Sequence, residues 1–293
     1  MNNNRISEKL RHLEALIRGY GTLAVAFSGG VDSTFLLAVA RKVLGRGVHA
    51  IVARSSVFSA YEASEALNYV RQQGIPHHEV SPDLMSVAEF VQNRGDRCYH
   101  CKLALFAVIL EKKDELGLNV LAHGVNGDDL NDFRPGLRAA DELGVVSPLA
   151  VAGFTKDEIR RASRDMGLGT ADKPQMACLA TRIPYGTPVS LEKLRMVEQG
   201  EELLRNLGCG SWRVRHHGDL ARIEVHEEDF QKLMKRDVRG ELVARFKALG
   251  FLHVALDLEG YTPGSMNRVL MNREKESGLA GRANPHAESL KNS

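Results

Sequence analysis

A glycine-rich turn near the N-terminus has the residue types of an anion-binding site. In the string AFSGGVDSTFLL an apolar run ends in Ser28-Gly29-Gly30, and a helical stretch opens around Asp32 and Ser33. Gly29 and Gly30 let the backbone approach an anion, and the start of the helix directs unpaired N–H groups at it. Ser28 and Ser33 add hydroxyl donors, while Asp32 either caps the helix or helps hold magnesium beside phosphates. The string therefore predicts a phosphate-binding turn, with an ordinary strand-to-helix turn as the alternative.

The cysteines form a second group with possible chemistry. Cys98 and Cys101 make a C-x-x-C pair, and Cys178 lies in the charged, proline-containing segment ADKPQMACLATRIPYG. A C-x-x-C pair alone is compatible with a redox dithiol, half of a zinc site or part of an iron–sulfur site. Cys178 could complete a set of three thiolates around a cluster with one open iron, whereas zinc would need two further ligands, such as histidines. Cys209, within LGCGSW, is expected to be a buried apolar thiol.

Alternating strands and helices are predicted to position both groups. From TLAVAF onward, apolar runs alternate with helical stretches as far as Met166, which predicts a doubly wound parallel sheet with helices on both faces. Ligands of such sheets bind beyond the carboxyl ends of the strands, where Ser28-Gly29-Gly30 falls. After TRIPYGTPVS the pattern changes to a charged helix, two short strands around Gly218 and a helical pair. We therefore predict an α/β domain over 1–185, a smaller α+β domain over 186–271 and a disordered tail over 272–293.

Composition limits the class of protein. The chain has 293 residues and a mass of 32.3 kDa, and its formal charge of +2 is too balanced to indicate a nucleic-acid-binding surface. The start of the sequence has no apolar signal region, and no apolar run approaches the roughly 20 residues that span a bilayer. A cytoplasmic protein without a membrane or nucleic-acid partner is expected. In a reducing compartment, so few cysteines indicate chemistry or metal binding rather than a disulfide framework.

The string SGGVDS, placed after the first apolar strand, closely resembles the pyrophosphate loop of the N-type ATP pyrophosphatases. These PP-loop enzymes share an adenine nucleotide alpha hydrolase-like fold, release pyrophosphate from ATP and adenylylate a substrate. The resemblance implies ATP and Mg²⁺ as cofactors, with Arg54 near the adenosine. It also implies that Gly124, Asn126 and Asp129, after a later strand, reach the same edge of the sheet. Asp129 is then a magnesium candidate, as is Asp128, and Lys102 would neutralise phosphate charge unless it is simply solvated.

Four segments in order resemble the LarE family, the ATP-dependent sulfur transferases of nickel-pincer cofactor synthesis. They are SGGVDS, GVNGDDLNDFRPGLRAADELGVVSPL, KPQMACLATRIPYG and WRVRHHGDLARIEV, and together they span Thr22 to about Asp257. The resemblance implies that ATP adenylylates a carboxylate of a pyridinium-3,5-dicarboxylate mononucleotide and that a sulfur nucleophile then displaces AMP. The second carboxylate is treated likewise. The substrate is thus a small-molecule nucleotide, and a nickel-inserting protein would act downstream.

The same resemblance assigns the cysteines. Some members have only the equivalent of Cys178 and sacrifice its sulfur, whereas others also carry the C-x-x-C pair and hold a [4Fe-4S] cluster. Because Cys98, Cys101 and Cys178 are all present, the resemblance implies the cluster type, with sulfide bound at the open iron as the transferred atom. The resemblance also implies a symmetric homo-oligomer, with a hexamer as one form.

Further site residues follow from the family. Arg213 and Arg215 alternate along a predicted strand and so share one face, where planar guanidinium groups suit the substrate phosphate. Arg182, beside Cys178, is a candidate for a substrate carboxylate. Glu201 is a weaker candidate for substrate contact and Glu224 for magnesium, unless Glu224 pairs with a neighbouring arginine. The residues predicted to act in catalysis are Cys178, Lys102 and Asp32.

Three other functions compete with this interpretation. Some tRNA thiolases combine the same loop with a cluster on three cysteines, but a more basic chain with a nucleic-acid-binding domain would be expected. Amide-forming synthetases of the superfamily, such as NAD or GMP synthetase, deliver ammonia and need no cysteines. A non-catalytic, zinc-stabilised nucleotide-binding protein would bind ATP without releasing pyrophosphate.

Overall fold

The computed structural model describes residues 2–131, 135–174 and 177–262. The described chain divides into two compact units. The first comprises residues up to 87 and from 98 to 174, and the second comprises 88–97 and 177–262. The predicted domain boundary between residues 185 and 186 stays a prediction, and the tail predicted over 272–293 lies outside the described residues.

The elements follow the predicted alternation. The strands are β1 Leu23–Ala26, β2 Val48–Ala53, β3 His77–Val80, β4 Val120–Ala122, β5 Trp212–His217, β6 Leu220–Val225 and β7 His253–Leu256. The α-helices are α1 Asn2–Tyr20, α2 Val31–Leu44, α3 Ala60–Gln72, α4 Ala88–Val91, α5 Arg97–Glu115, α6 Pro135–Glu142, α7 Pro148–Val151, α8 Lys156–Asp165, α9 Leu191–Asn206, α10 Glu227–Met234 and α11 Arg236–Ala248. Short 3₁₀ helices cover Gly45–Gly47, Leu84–Ser86, Asp128–Asn131 and Leu179–Arg182.

The first unit is built on a parallel sheet in the order β3-β2-β1-β4. Leu23, Ala24 and Val25 of the central strand β1 are fully buried, which explains why a strand covered on both faces reads as an unbroken apolar run. The chain passes from β1 outward through β2 to β3 and then returns to the other side of β1. The order of strands therefore reverses between β1 and β4, and ligands of open α/β sheets bind beyond the strand ends at such a point. The predicted α/β fold is confirmed.

Helix α2 is the buried core helix of this unit. Its residues Phe35, Leu36 and Leu37 are fully buried, and the Phe35 ring packs edge-on against Phe154 at 5.4 Å between centroids. Helices α1 and α8 pack on α2, and Leu13 of α1 belongs to the same apolar cluster. The strand and the helix on either side of the turn before α2 are thus both anchored in the hydrophobic core of this unit.

The second unit contains a mixed sheet in the order β5-β6-β7. Strands β5 and β6 are antiparallel, with Arg213 opposite Glu224, while β7 runs parallel to β6. Val214, Ile223 and Phe246 belong to the apolar cluster of this unit, which confirms the small α+β region predicted after the parallel sheet. No helix in the described part of the chain is long and apolar enough to cross a membrane.

Candidate functional site

The turn between β1 and α2 has the backbone geometry of an anion cradle. Gly29 has φ +69°, and a Cβ added there would lie 2.9 Å from the Cβ of Ala66 on α3, so both conformation and space require glycine. Gly30 precedes α2 without a side-chain cap, which leaves the first N–H groups of the helix for a ligand. The Ser28 and Ser33 hydroxyls are 3.1 Å apart, and the Ser33 hydroxyl donates to the Gly30 carbonyl at 3.2 Å.

A cavity of about 340 Å³ opens in front of this turn. Its size falls in the range of small-molecule sites, about 300–1,000 Å³. The lining includes Ser28, Gly30, Val31, Asp32, Glu62, Asn126, Asp128, Asp129, Lys156 and Lys173. The structure thus brings together the glycine turn after β1 and the acidic loop after β4, as their places at the strand ends predict.

Asn126 organises the acidic loop. It is 2% exposed, and its side-chain amide donates to Asp32 Oδ1 at 3.3 Å. Its amide oxygen accepts from the Asp128 N–H at 2.9 Å, while its own N–H donates to Asp129 Oδ2 at 3.1 Å. These bonds hold the Asp129 carboxylate and the Asp128 backbone beside the carboxylate of Asp32 at the start of α2, while Asp128 Oδ2 accepts from the Lys156 N–H at 2.8 Å. Magnesium in nucleotide sites takes only one or two carboxylates together with phosphate oxygens, so Asp129 with one neighbouring carboxylate would suffice for such an ion.

Two lysines of the cavity escaped the sequence analysis. Lys156 forms an ion pair with Asp32, and Lys173 donates to the Gly29 carbonyl at 3.2 Å and lies 3.0 Å from Glu65. Both ammonium groups can compensate phosphate charge at the turn.

A sequence signal for Lys156 does exist. The lysine is the first residue of α8, directly after Thr155, which forms a capping box with Glu158 through bonds of 3.3 and 2.9 Å. A basic residue at the positive end of a helix opposes the helix dipole. Residues that break a local preference in this way are often functional, so the segment TKDE could have indicated a ligand-directed lysine.

Gly124 holds the end of β4 against the start of α2. A Cβ at this position would lie 2.8 Å from the Ser33 nitrogen and 3.1 Å from the Asp32 carbonyl carbon. Because those atoms are backbone, Gly124→Ala is expected to lower the free energy of unfolding by about 1–3 kcal/mol, measured by urea denaturation. Gly19→Ala is the control, since nothing lies within 4 Å of a Cβ there and alanine favours the helix. Equal effects of the two substitutions would show that the close approach is unimportant.

Arg54 and Lys102 lie outside the lining of the cavity. Arg54 follows β2 and pairs with Glu79 at 3.2 Å, with half of its side chain exposed. Lys102 stands over the Phe106 ring at 5.0 Å. Their predicted roles at adenosine and phosphate stay predictions.

His123 is a buried neutral group at the end of β4. Burial, together with the charge of Lys102, lowers its pKa to about 3, and its Nε2 lies 2.7 Å from the Ser147 hydroxyl. At neutral pH the imidazole is uncharged and supports the strand end through this hydrogen bond.

The cysteines fall in different environments. Cys98 is half-buried and Cys101 buried, and the two lie one helical turn apart at the start of α5. Cys178, in the second unit, is half-buried and immediately precedes the 3₁₀ helix Leu179–Arg182. Within residues 2–131, 135–174 and 177–262, no three His, Cys, Asp or Glu side chains form a group that could hold a metal. Cys209 lies in the apolar cluster, as predicted, and burial raises its thiol pKa.

The predicted arginine pair lies on one face of β5, and both side chains are buried. Arg215 forms a two-pronged ion pair with Glu224, through bonds of 3.0 and 2.7 Å. Arg222 also donates to Glu224, at 2.9 Å. Both oxygens of Glu224 therefore accept bonds from guanidinium groups, an arrangement that favours its ion-pair alternative over the predicted contact with magnesium.

Arg213 has an aromatic neighbour that the sequence analysis missed. Its guanidinium carbon lies 4.9 Å from the centre of the Tyr261 ring, and it donates to the Tyr261 hydroxyl at 3.3 Å. Burial, followed by the nearby charge of Arg182, lowers the pKa of Arg213. A buried guanidinium of this kind gains from an incoming anion.

Arg182 is fully buried and is paired with Glu201. The structure thus joins the residue predicted to hold a substrate carboxylate to the residue predicted as a second substrate contact.

Comparison with known proteins finds relatives over nearly the whole chain. An uncharacterized protein of Synechocystis is 42% identical over 265 residues, which cover 90% of this chain and 99% of that protein. The pyridinium-3,5-bisthiocarboxylic acid mononucleotide synthase of Lactiplantibacillus plantarum is 34% identical over 269 residues, which cover 90% of this chain and 96% of that protein. The tRNA-specific 2-thiouridylase MnmA of Rickettsia felis is 27% identical over 190 residues and covers 52% of each chain. No protein-family model matches the chain.

Proposed function

Because the chain belongs to the LarE family of sulfur transferases, we propose that it converts the carboxylates of pyridinium-3,5-biscarboxylic acid mononucleotide to thiocarboxylates at the expense of ATP. The observation that carries the proposal is the cavity at the point where the strand order reverses. The SGGVDS turn, Lys156, Lys173 and an acidic loop all line this cavity. Such a lining suits a nucleoside triphosphate and its magnesium ion.

The first half of the proposed reaction activates a carboxylate. A substrate carboxylate oxygen attacks the α-phosphorus of ATP, and pyrophosphate leaves. The turn at Gly29 and Gly30 and the first N–H groups of α2 would cradle the phosphates, while Lys156 and Lys173 would offset the charge that develops on the leaving group. Asp129 and Asp128 would hold magnesium, which when bound would offset part of the negative charge of the phosphates.

The second half transfers sulfur. A carboxylate is a poor electrophile because its oxygen leaves badly, whereas an acyl adenylate carries AMP as a leaving group. Hydrosulfide attacks the carbonyl carbon and loses its proton, and AMP departs with the electron pair of the acyl–oxygen bond, which leaves a thiocarboxylate. If the Cys178 thiolate attacks instead, a thioester forms, and β-elimination must then break the Cβ–S bond of the cysteine, which leaves dehydroalanine. Arg213 and Arg215 would bind the substrate phosphate beside Cys178.

Cys98, Cys101 and Cys178 would hold the proposed [4Fe-4S] cluster. Cys98 and Cys101 lie one turn apart on α5, and thiolates are the donors that such clusters use; the proposal takes Cys178 as the third. When bound, the cluster would supply sulfide for repeated turnover.

The proposed function is tested by incubating the protein anaerobically with ATP, magnesium, sulfide and the dicarboxylate mononucleotide. We expect pyrophosphate and AMP to form only when the mononucleotide is present, and mass spectrometry to show oxygen replaced by sulfur in the product. Pyrophosphate release stimulated by bulk tRNA instead would favour a tRNA thiolase. ATP binding without pyrophosphate release would favour a non-catalytic nucleotide-binding protein.

The cluster has its own test, in which Cys98→Ser is compared with Cys209→Ser. After anaerobic reconstitution we expect about four iron and four labile sulfide per chain in the wild type. Cys98→Ser should lose both, because it removes one ligand, whereas Cys209→Ser should keep them, because that thiol lies in the apolar cluster of the second unit. A wild-type protein without iron would contradict the cluster and leave Cys178 as its own sulfur donor. Multiple turnovers by Cys98→Ser would also contradict it, because repeated sulfur transfer would then not require the cluster.

A further inference from the structure

The pair Arg182–Glu201 lies at the base of the loop that carries Cys178. We propose that it is a positioning device, which fixes the Cys178 backbone relative to β5, and that Arg182 does not bind the substrate. The inference rests on the proposed function in one respect, namely that sulfur is transferred near Cys178. It replaces the substrate contact predicted for Arg182 from the sequence.

The Arg182 guanidinium donates its hydrogen bonds to groups inside the protein. Its side chain is 0% exposed, and its Nε and Nη2 donate to the two oxygens of Glu201 at 2.7 and 2.9 Å. Its Nη1 donates to the carbonyls of Ala177 and Cys178 at 2.7 and 3.1 Å. A two-pronged pair of this kind is geometrically specific, so the guanidinium is fixed in place and aimed at the Cys178 peptide.

The Cys178 carbonyl receives further donors from Thr181. The Thr181 N–H donates at 3.0 Å and its hydroxyl at 2.7 Å, in addition to the Arg182 bond. The Arg182 guanidinium also contacts the Thr181 hydroxyl oxygen at 2.9 Å. Fixing this carbonyl sets the ψ angle of Cys178, and the backbone in turn sets the direction in which the thiol projects.

Glu201 connects this loop to the arginine strand. Its Oε1 accepts from the N–H of Val214 at 3.1 Å, and Val214 lies between Arg213 and Arg215 on β5. Helix α9 is close enough for this bond because Gly200 precedes Glu201; a Cβ at Gly200 would lie 3.0 Å from the Phe246 ring. One ion pair therefore joins the sulfur loop, helix α9 and the strand proposed to hold the substrate phosphate.

The choice of a charged pair supports a positioning role. Burying two charges carries a large desolvation penalty, and apolar residues of similar volume often replace such pairs without loss of stability. Apolar residues cannot donate to the carbonyls of Ala177 and Cys178, however. The pair supplies orientation that an apolar core would not.

A positioning role and a substrate-binding role predict different kinetics. The groups proposed to act in adenylylation are the SGGVDS turn, Lys156, Lys173 and the acidic loop, and the pair is not among them. Loss of the pair should therefore leave pyrophosphate release in place while the sulfur step fails. An arginine that binds a substrate carboxylate would instead raise KM for the mononucleotide and slow both steps together. The diagnostic quantity is the amount of thiocarboxylate formed per pyrophosphate released.

The variants are Arg182→Lys, Glu201→Gln and the double variant Arg182→Met/Glu201→Leu. The double variant removes both charges, so it remains informative if a single variant fails to fold. Arg245→Met is the matched control, because Arg245 forms an exposed pair with Glu241 at 3.5 Å on α11. Each protein is assayed for the product ratio, for KM of the mononucleotide and, without substrate, for the rate at which iodoacetamide alkylates Cys178.

We expect the thiocarboxylate to pyrophosphate ratio to fall by about 10- to 100-fold in the pair variants, since small misplacements of a reacting group cost this much. KM should stay at the wild-type value, the Cys178 alkylation rate should change, and Arg245→Met should match the wild type throughout. A wild-type ratio with unchanged alkylation, or a raised KM with both steps slowed equally, would overturn the inference. If the wild type makes no thiocarboxylate, the proposed function fails, and the alkylation rates alone decide whether the pair positions Cys178.

Discussion

Cys178→Ala is expected to abolish thiocarboxylate formation while pyrophosphate release, dependent on ATP and the mononucleotide, continues. The groups proposed to act in adenylylation are the SGGVDS turn, Lys156, Lys173 and the acidic loop, so the proposed first step does not use the thiol. In the proposed second step the thiol is required, because Cys178 would either donate sulfur or help hold the group that does. The acyl adenylate would then hydrolyse, returning the carboxylate and AMP. A single-turnover assay under anaerobic conditions, with pyrophosphate and product mass measured in the same sample, checks both pyrophosphate release and thiocarboxylate formation.

Cys209→Ala is the matched control for this substitution. Cys209 is buried, at 5% exposure, and belongs to the apolar cluster of the second unit. Its replacement should lower stability modestly through lost packing and leave the product ratio unchanged. Thiocarboxylate formed by Cys178→Ala at the wild-type rate would mean that free sulfide attacks the acyl adenylate without help from this residue. Loss of pyrophosphate release in Cys178→Ala would instead couple the thiol to the first step.

The fold and the nucleotide site could be predicted from local sequence because each has a local cause. A strand buried on both faces must be apolar throughout, as LAVA in β1 is. A turn that needs φ +69° and no Cβ must contain glycine, as Gly29 shows. Strand ends of a parallel sheet share one edge, and with the family resemblance this predicts that the loop after β4, which contains Asn126, lies beside the turn.

The roles of single charged residues could not be predicted in the same way, because burial and partners are properties of the folded chain. Arg182 next to Cys178 reads as an available cation, yet its partner Glu201 comes from another helix. Glu224 reads as a possible metal ligand, although its two oxygens accept from Arg215 and Arg222. Such pairings depend on strand register and helix packing, which a spacing pattern does not contain.

Lys156 is a charged residue whose role could not be predicted from the sequence, and its substitution is the most informative test of the proposed nucleotide site. The ammonium pairs with Asp32 across 124 residues of sequence and lines the cavity, and it is expected to face the phosphates when ATP is bound. Lys156→Met keeps a long, helix-compatible stem and removes the charge. Loss of one charged donor from a transition-state site typically costs about 100- to 1,000-fold, and Asp32 would then present an unopposed negative charge to the phosphates.

We therefore expect Lys156→Met to lower kcat/KM for ATP in pyrophosphate release by about 100-fold or more, measured over a range of ATP concentrations. Lys42→Met is the control, because Lys42 forms an exposed pair with Glu14 at 2.8 Å on the outer surface of α2 and should have no effect. The product ratio separates this site from the sulfur site: Lys156→Met should slow both steps equally, since each thiocarboxylate requires an adenylate first. A wild-type kcat/KM would remove Lys156 from the phosphate site. If the variant formed less thiocarboxylate but released as much pyrophosphate as the wild type, Lys156 would act in sulfur transfer. That result would contradict the proposal that the strand ends carry out adenylylation and the Cys178 loop carries out sulfur transfer.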